Sequence, residues 1–359
     1  MLKLSTNVSL KHELREHPNQ LGAASKLQKL DDGRVFGLKQ VFPSPDDVNA
    51  TNQKTIDIFI LHGLSAKSEE TWIAWKEYDV TGSGDVNWTS DANMLPEAMP
   101  EARVMTYDWN ADYDRTASSD IFLGHADTLL DRIHINRKKT KRLDRPIIFV
   151  ASCFGGLLLA KALVRATDLF PLQGKLNFET LRQVVGVTFL GTPFRGNWKA
   201  GYEAASLRLA IAQNAAAEEG VEYSKELIQY LQLGTPGHPG PLAETVRRFT
   251  EMVSNHVFKF PIVCFYETRH TKFKAVLAKL PQDYVQAQIK EDGHGIVVEE
   301  SSACLDGAER VALDVRHNML HKFNSPDDDG FQRLSSRLSI FAENAGHIIR
   351  AKGNTENFL

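Results

Sequence analysis

Pro146-Ile147-Ile148-Phe149-Val150-Ala151-Ser152-Cys153-Phe154-Gly155-Gly156, followed by Leu157-Leu158-Leu159-Ala160-Lys161-Ala162-Leu163, reads as a buried strand, a sharp turn and a buried helix. One nucleophilic side chain stands at the apex, which is the build of a nucleophile elbow. In such a turn the residues two before and two after the nucleophile come close together, so both must be small. Centring the turn on Cys153 puts Ala151 and Gly155 there, which fits. Centring it on Ser152 puts Val150 and Phe154 there, and neither is small enough. The chain therefore carries a thiol where this turn usually carries a hydroxyl. The helix behind the elbow aims free N–H groups and a partial positive charge at the apex. That field, with an imidazolium nearby, is what favours the thiolate of a reactive cysteine. The bland alternative is a buried cysteine acting as a small apolar residue.

Outward from the elbow, short apolar runs alternate with helical patterns, the signature of a mostly parallel sheet covered by helices. Strands are expected at 35–42, 56–61, 103–109, 146–151, 184–190, 260–266 and 295–299, several of them apolar throughout, as strands buried on both faces must be. Residues 1–34 are polar and weakly patterned, an extension outside the core. Residues 35–345 make one α/β domain, and 346–359 a tail. Within the domain, 197–257 is rich in Ala and Glu and broken by Gly234-Thr235-Pro236-Gly237, so it reads as a helical cap or lid between two strands. The basic run Arg137-Lys138-Lys139-Thr140-Lys141-Arg142 reads as the solvated end of a helix. Ser325-Pro326-Asp327-Asp328-Asp329 reads as a helix cap rather than a metal loop.

Composition narrows the function. Forty-two Lys and Arg face 45 Asp and Glu among 359 residues, so no global field recruits nucleic acid or an anionic membrane. The three cysteines, Cys153, Cys264 and Cys304, are an odd number spread far apart, which fits neither a disulfide framework nor a zinc pair. No metal and no cofactor is expected. The N-terminus lacks a signal peptide's apolar stretch. The longest apolar run, 155–164, carries Lys161 and is too short to span a membrane. The expectation is a cytoplasmic protein with a small-molecule substrate and no integral membrane segment.

A nucleophile needs a base, an orienting acid and an oxyanion hole. The strand at 56–61 ends in His62-Gly63-Leu64, where Gly63 lets the backbone turn. The amides of Leu64 and of Phe154 are the natural oxyanion donors. His62 is expected to brace that loop, with Gly63 and Gly155 as supporting residues. Chain order in this architecture is nucleophile, acid, histidine. Glu267 ends the strand at 260–266, at the edge where open α/β sheets form their sites. Further on, His317 and His321 compete as the base, while His294 precedes the strand expected at 295–299 and falls on the wrong edge.

Six blocks together resemble the α/β-hydrolase family related to the serine active-site-containing protein, a lipase-like group abundant in fungi. They are Ile60-Leu61-His62-Gly63-Leu64 with Thr71-Trp72; Tyr107-Asp108-Trp109; the elbow; Phe189-Leu190-Gly191-Thr192-Pro193-Phe194-Arg195-Gly196; Cys264-Phe265-Tyr266-Glu267-Thr268; and His317 with Met319, Lys322 and Phe323. The resemblance covers about 35–341, with the lid poorly matched, and implies His317 as the base. Two departures stand out. The family's His-Ser at the elbow is Ser152-Cys153 here, and its acid before the histidine is Arg316, which leaves orientation of the ring to Glu267 or Asp314. The expected function is cleavage of a carboxylic ester or thioester, on a lipid-like substrate, by Cys153, His317 and Glu267 through an acyl-thioenzyme. Acyl transfer stays open. The alternative is a catalytically weak hydrolase-shaped module that binds a protein partner, because the family also occurs as a module of receptor-like proteins.

Overall fold

A computed structural model describes residues 35–63, 66–77, 80, 82–111, 119–168, 175–195, 234–235, 238–255, 257–272 and 294–353. Its centre is a seven-stranded sheet: β1 (Gly37–Phe42), β2 (Ile56–Leu61), β3 (Ala102–Asp108), β4 (Ile147–Ser152), β5 (Val184–Leu190), β6 (Ile262–Glu267) and β7 (Glu309–Leu313). The spatial order is β1-β3-β2-β4-β5-β6-β7, with β1 antiparallel to β3 and every other neighbour parallel. In β2 to β5 every residue is buried, as in strands covered on both faces, including the charged Asp57 and Arg103.

Side-chain alternation divides the core into two layers. Phe59, Leu61, Phe149 and Ala151 face a layer built by helices α2 (Ser119–Lys139), α3 (Phe154–Asp168) and α4 (Pro241–Ser254). Ile58, Ile60, Ile148 and Val150 face the other, built by α5 (Asp329–Glu343) and α6 (Ala345–Gly353). Each of these Ile, Leu, Val and Phe side chains contributes about 2 kcal/mol by leaving water. A mostly parallel sheet with helices on both faces and a helical insertion is the α/β-hydrolase fold.

Four expectations change. The apolar run Ile296-Val297-Val298 is not a strand. Among the described residues His294–Gly295 pairs only with Thr271–Lys272, in a two-residue ladder, and the last strand of the seven-stranded sheet is β7. As an edge strand β7 needs one covered face, so Val311 and Leu313 are buried while Glu309 and Arg310 are exposed, too weak an apolar signal to find. Residues 346–353 are no tail. They lie in α6, whose Ile348 and Ile349 pack on the core and whose buried Lys352 donates to the Val184 carbonyl. Of the segment read as a lid, 197–233 lies outside the described residues, but α4 is core: Leu242, Thr245, Phe249 and Met252 are buried, and Leu242, Phe249 and Met252 join the layer that α3 builds.

The fourth concerns the basic run. Lys138, Lys139 and Lys141 are exposed, but Arg137 is fully buried. Its Nη1 lies 2.5 Å from Asp57 Oδ2, at the start of β2. Arg103 Nε and Arg145 Nη1 reach Asp57 Oδ1 at 2.9 and 3.4 Å. One carboxylate thus gathers three buried guanidiniums. Two of the arginines also donate to backbone carbonyls, Arg137 Nη2 to Leu143 and Arg145, and Arg145 Nη2 to Thr51 in the helix α1 (Val48–Gln53), while Arg103 Nη2, Arg137 Nε and Arg145 Nε are buried without a hydrogen-bond partner. The cluster staples the loop before β4 to the end of the sheet away from the elbow.

Candidate active site

Every element around the elbow forces a close approach. Cys153 has φ 50°, in the left-handed region that side chains other than glycine rarely adopt, a strain of about 1–3 kcal/mol. The apex of the turn is therefore Cys153 and not Ser152. The turn is held by Cys153 N–H to the Leu190 carbonyl at 2.9 Å and by Gly156 N–H to the Cys153 carbonyl at 3.0 Å. A Cβ on Gly155 would stand 2.4 Å from the His62 carbonyl, and one on Gly63 would stand 2.8 Å from Cys153 Cβ. Both contacts are too short for any side chain, so the loop after β2 and the turn after β4 can meet only through glycine.

Glu267 ends β6, buried, and faces His317 across the carboxyl edge of the sheet. Glu267 Oε2 lies 2.6 Å from His317 Nδ1. Its Oε1 accepts the backbone N–H groups of Val297 and Val298 at 2.6 and 3.1 Å. The apolar run that forms no strand thus supplies two donors to a buried carboxylate, which needs such partners. Nothing in the sequence marks those amides, because a backbone donor carries no residue signature. Asp314, the other candidate acid, is exposed and bonded to Arg269 at 2.6 and 2.9 Å.

With Nδ1 committed to Glu267, Nε2 is the nitrogen left for the Cys153 thiol, with which the ring is hydrogen-bonded. Burial disfavours charge on the ring, but the Glu267 carboxylate and the bonds to Cys153 and Glu267 outweigh it, and the pKa of His317 rises to about 10. The folded-state value lies above the ordinary 6.5, so the stability this proton adds is complete below pH 6.5 and disappears as pH climbs through about 10. Urea midpoints of the native protein should fall across that window. In His317→Gln the fall should be distinctly smaller; equal falls would mean that another group is responsible.

His62 braces the loop. It is fully buried, with Nδ1 2.7 Å from the Gly63 carbonyl and Nε2 2.8 Å from Asp108 Oδ1. Its own carbonyl accepts Trp109 Nε1 at 2.9 Å, and the two rings stack at 5.8 Å. Asp108 and Trp109, at the end of β3, therefore hold the loop from the side. Leu64 lies outside the described residues. Phe154 opens α3, so its amide has no partner within the helix. Cys264 and Cys304 are completely buried away from the turn, and the Cys264 thiol is pushed far up by its bond to Cys304 and by burial. Among the described residues no group of His, Cys, Asp and Glu is arranged to hold a metal, and no helix is long and apolar enough to cross a membrane.

No family model matches the sequence, and no curated protein does. Among solved structures the chain is similar to the lipase BlEst2 of Bacillus licheniformis, at 16% identity and TM-score 0.45 over 85% of this chain and 97% of that one. It is similar to MenH from S. aureus at 10% identity and TM-score 0.38, over 87% and 98%. A monoacylglycerol lipase from Paleococcus ferrophilus gives 9% identity and TM-score 0.40, over 89% and 100%.

Proposed function

We propose that the protein is a hydrolase of carboxylic esters or thioesters, with a lipid-like acyl substrate, in which Cys153 is the nucleophile, His317 the base and Glu267 the orienting acid. One observation carries this function: a single imidazole bonded to a buried carboxylate on one side and to a strained thiol at the helix α3 N-terminus on the other. With the pKa of His317 at about 10, the proton of the pair sits on Nε2, and the sulfur relieved of it attacks the acyl carbonyl. The carbonyl oxygen gains charge and is met by the amide of Phe154. The imidazolium then donates its proton to the leaving alcohol or thiol, which departs and leaves an acyl-thioenzyme. Next His317 takes a proton from water, whose oxygen attacks the acyl carbon. The carboxylic acid forms as the sulfur leaves, and the proton taken from water stays on Nε2, which restores the pair. An alcohol, amine or thiol in place of water would give acyl transfer by the same steps.

The test is a panel of esters and acyl thioesters, run on the native protein and on Cys153→Ala. Turnover of at least one class should vanish in the variant; turnover that survives would remove Cys153 from the chemistry. Limiting iodoacetamide at neutral pH, followed by peptide mass spectrometry, should alkylate Cys153 well ahead of Cys264 and Cys304, which are sealed in the core. Labelling in any other order with the fold intact would count against the nucleophile.

A further inference from the structure

A second hydrogen bond joins the elbow to the turn that carries His317. Ser152, the residue before the apex, is buried, and its Oγ lies 3.1 Å from His321 Nδ1. His321 follows His317 by four residues. The far end of this turn is fastened elsewhere too. The His321 ring meets Trp72 edge-on at 5.9 Å, and its carbonyl accepts Trp88 Nε1 at 2.9 Å. Lys322 Nζ donates to the carbonyls of Glu70 and Ile73 at 3.0 and 2.8 Å. Of these contacts, only Ser152–His321 reaches the elbow.

Adjacent residues of the elbow thus hold both ends of one short turn: Cys153 meets His317, and Ser152 meets His321. We propose that Ser152 and His321 are a positioning pair that sets the separation and alignment of His317 against Cys153, an inference that rests on the Cys153–His317 chemistry proposed above. Glu267 orients the His317 ring at Nδ1, but sulfur is a soft, weakly directional partner and does not by itself set the distance between the ring and the thiol. A hydroxyl–imidazole bond is short and directional, and an error of about 1 Å at a reacting pair costs about 10²-fold in rate. The titratable groups facing His321 are Lys322, His317 and His62. Burial, with the charge of these neighbours, presses its pKa well below the ordinary value. A neutral ring accepts the Ser152 O–H at Nδ1 and adds no positive charge beside the His317 imidazolium.

The test is the second-order rate of Cys153 alkylation by iodoacetamide from pH 5 to 9 in the full chain, with urea midpoints measured in parallel. Ser152→Ala deletes the hydroxyl alone. His321→Phe keeps a ring against Trp72 without the bond, and His321→Asn offers an amide in place of Nδ1. Ser152→Ala and His321→Phe should each slow alkylation at pH 7 by about tenfold and displace the pH profile, while His321→Asn should return to within about twofold of the native rate. If Ser152→Ala, the mildest change, keeps the native rate and profile, the positioning pair is wrong. Slow alkylation in His321→Asn as well would overturn the hydrogen bond as its cause. His317→Ala separates the two levels: if it also leaves the profile unmoved, the Cys153–His317 pairing itself fails, and the pair falls with it.

Discussion

Alanine at His317 should lower kcat/KM for the best ester or thioester by about 10³-fold or more, with the protein still folded. The fold survives because Glu267, the charge left behind, keeps the Val297 and Val298 amides as donors. Glu267→Gln should lose about 10²-fold, by a different route. A glutamine can still accept those amides through its oxygen, which turns its NH2 toward His317 Nδ1. Two donors then face each other, and the imidazole is driven to the tautomer that cannot take a proton at Nε2. Asp314→Asn is the control, since Asp314 is bonded to Arg269 on the surface. Stopped-flow or steady-state rates on the three variants decide the matter. If Asp314→Asn is as harmful as Glu267→Gln, the acid has been misassigned.

Removing Asp57 should be the most destabilising single change away from the elbow, by about 3–5 kcal/mol. Its loss leaves Arg103, Arg137 and Arg145 buried side by side without a counter-charge. Native stabilities are about 5–15 kcal/mol, so Asp57→Ala removes a large share of the total. Asp57→Asn should be nearly as harmful, because the amide keeps the shape and loses the charge. The Arg142–Asp144 pair is a fair comparison: it is more than a third exposed on both sides, and Asp144→Ala should cost under about 1 kcal/mol. Urea midpoints measure both. An Asp57→Asn midpoint equal to the native one would show that the arginines are held by their carbonyl partners alone.

The elbow was legible because its constraint is local. A turn that tight accepts only small residues at fixed offsets, and Ala151, Cys153 and Gly155 satisfy it within five positions. The four fully buried strands were legible for a similar reason: β2 to β5 have both faces covered, so their runs are mostly apolar, interrupted by residues such as Asp57 and Arg103 that find buried partners. His62 as a loop brace follows from its place at a strand end. β7 was not legible, because an edge strand buries one face and Glu309-Arg310-Val311-Ala312-Leu313 offers two buried positions. Ile296-Val297-Val298 misled for the opposite reason: it is a loop whose Val297 and Val298 side chains enter the core, and whose amides serve a carboxylate and not a ladder.

Charge pairing was the least legible of all. Arg137 looks like any other cation in a basic run until Asp57, 80 positions away, stands 2.5 Å from it. Ser152 looks like an idle neighbour of the nucleophile until His321, 169 positions on, meets its hydroxyl. The residues alone left His317 and His321 as rivals four apart; the tertiary structure sets one against Glu267 and the other against Ser152. The chain by itself thus determined which backbone shapes are permitted, through side-chain size and apolar pattern over a few residues. Which polar groups meet was decided by the sheet, because a hydrogen bond depends on the last ångström of separation between segments that sequence spacing does not encode.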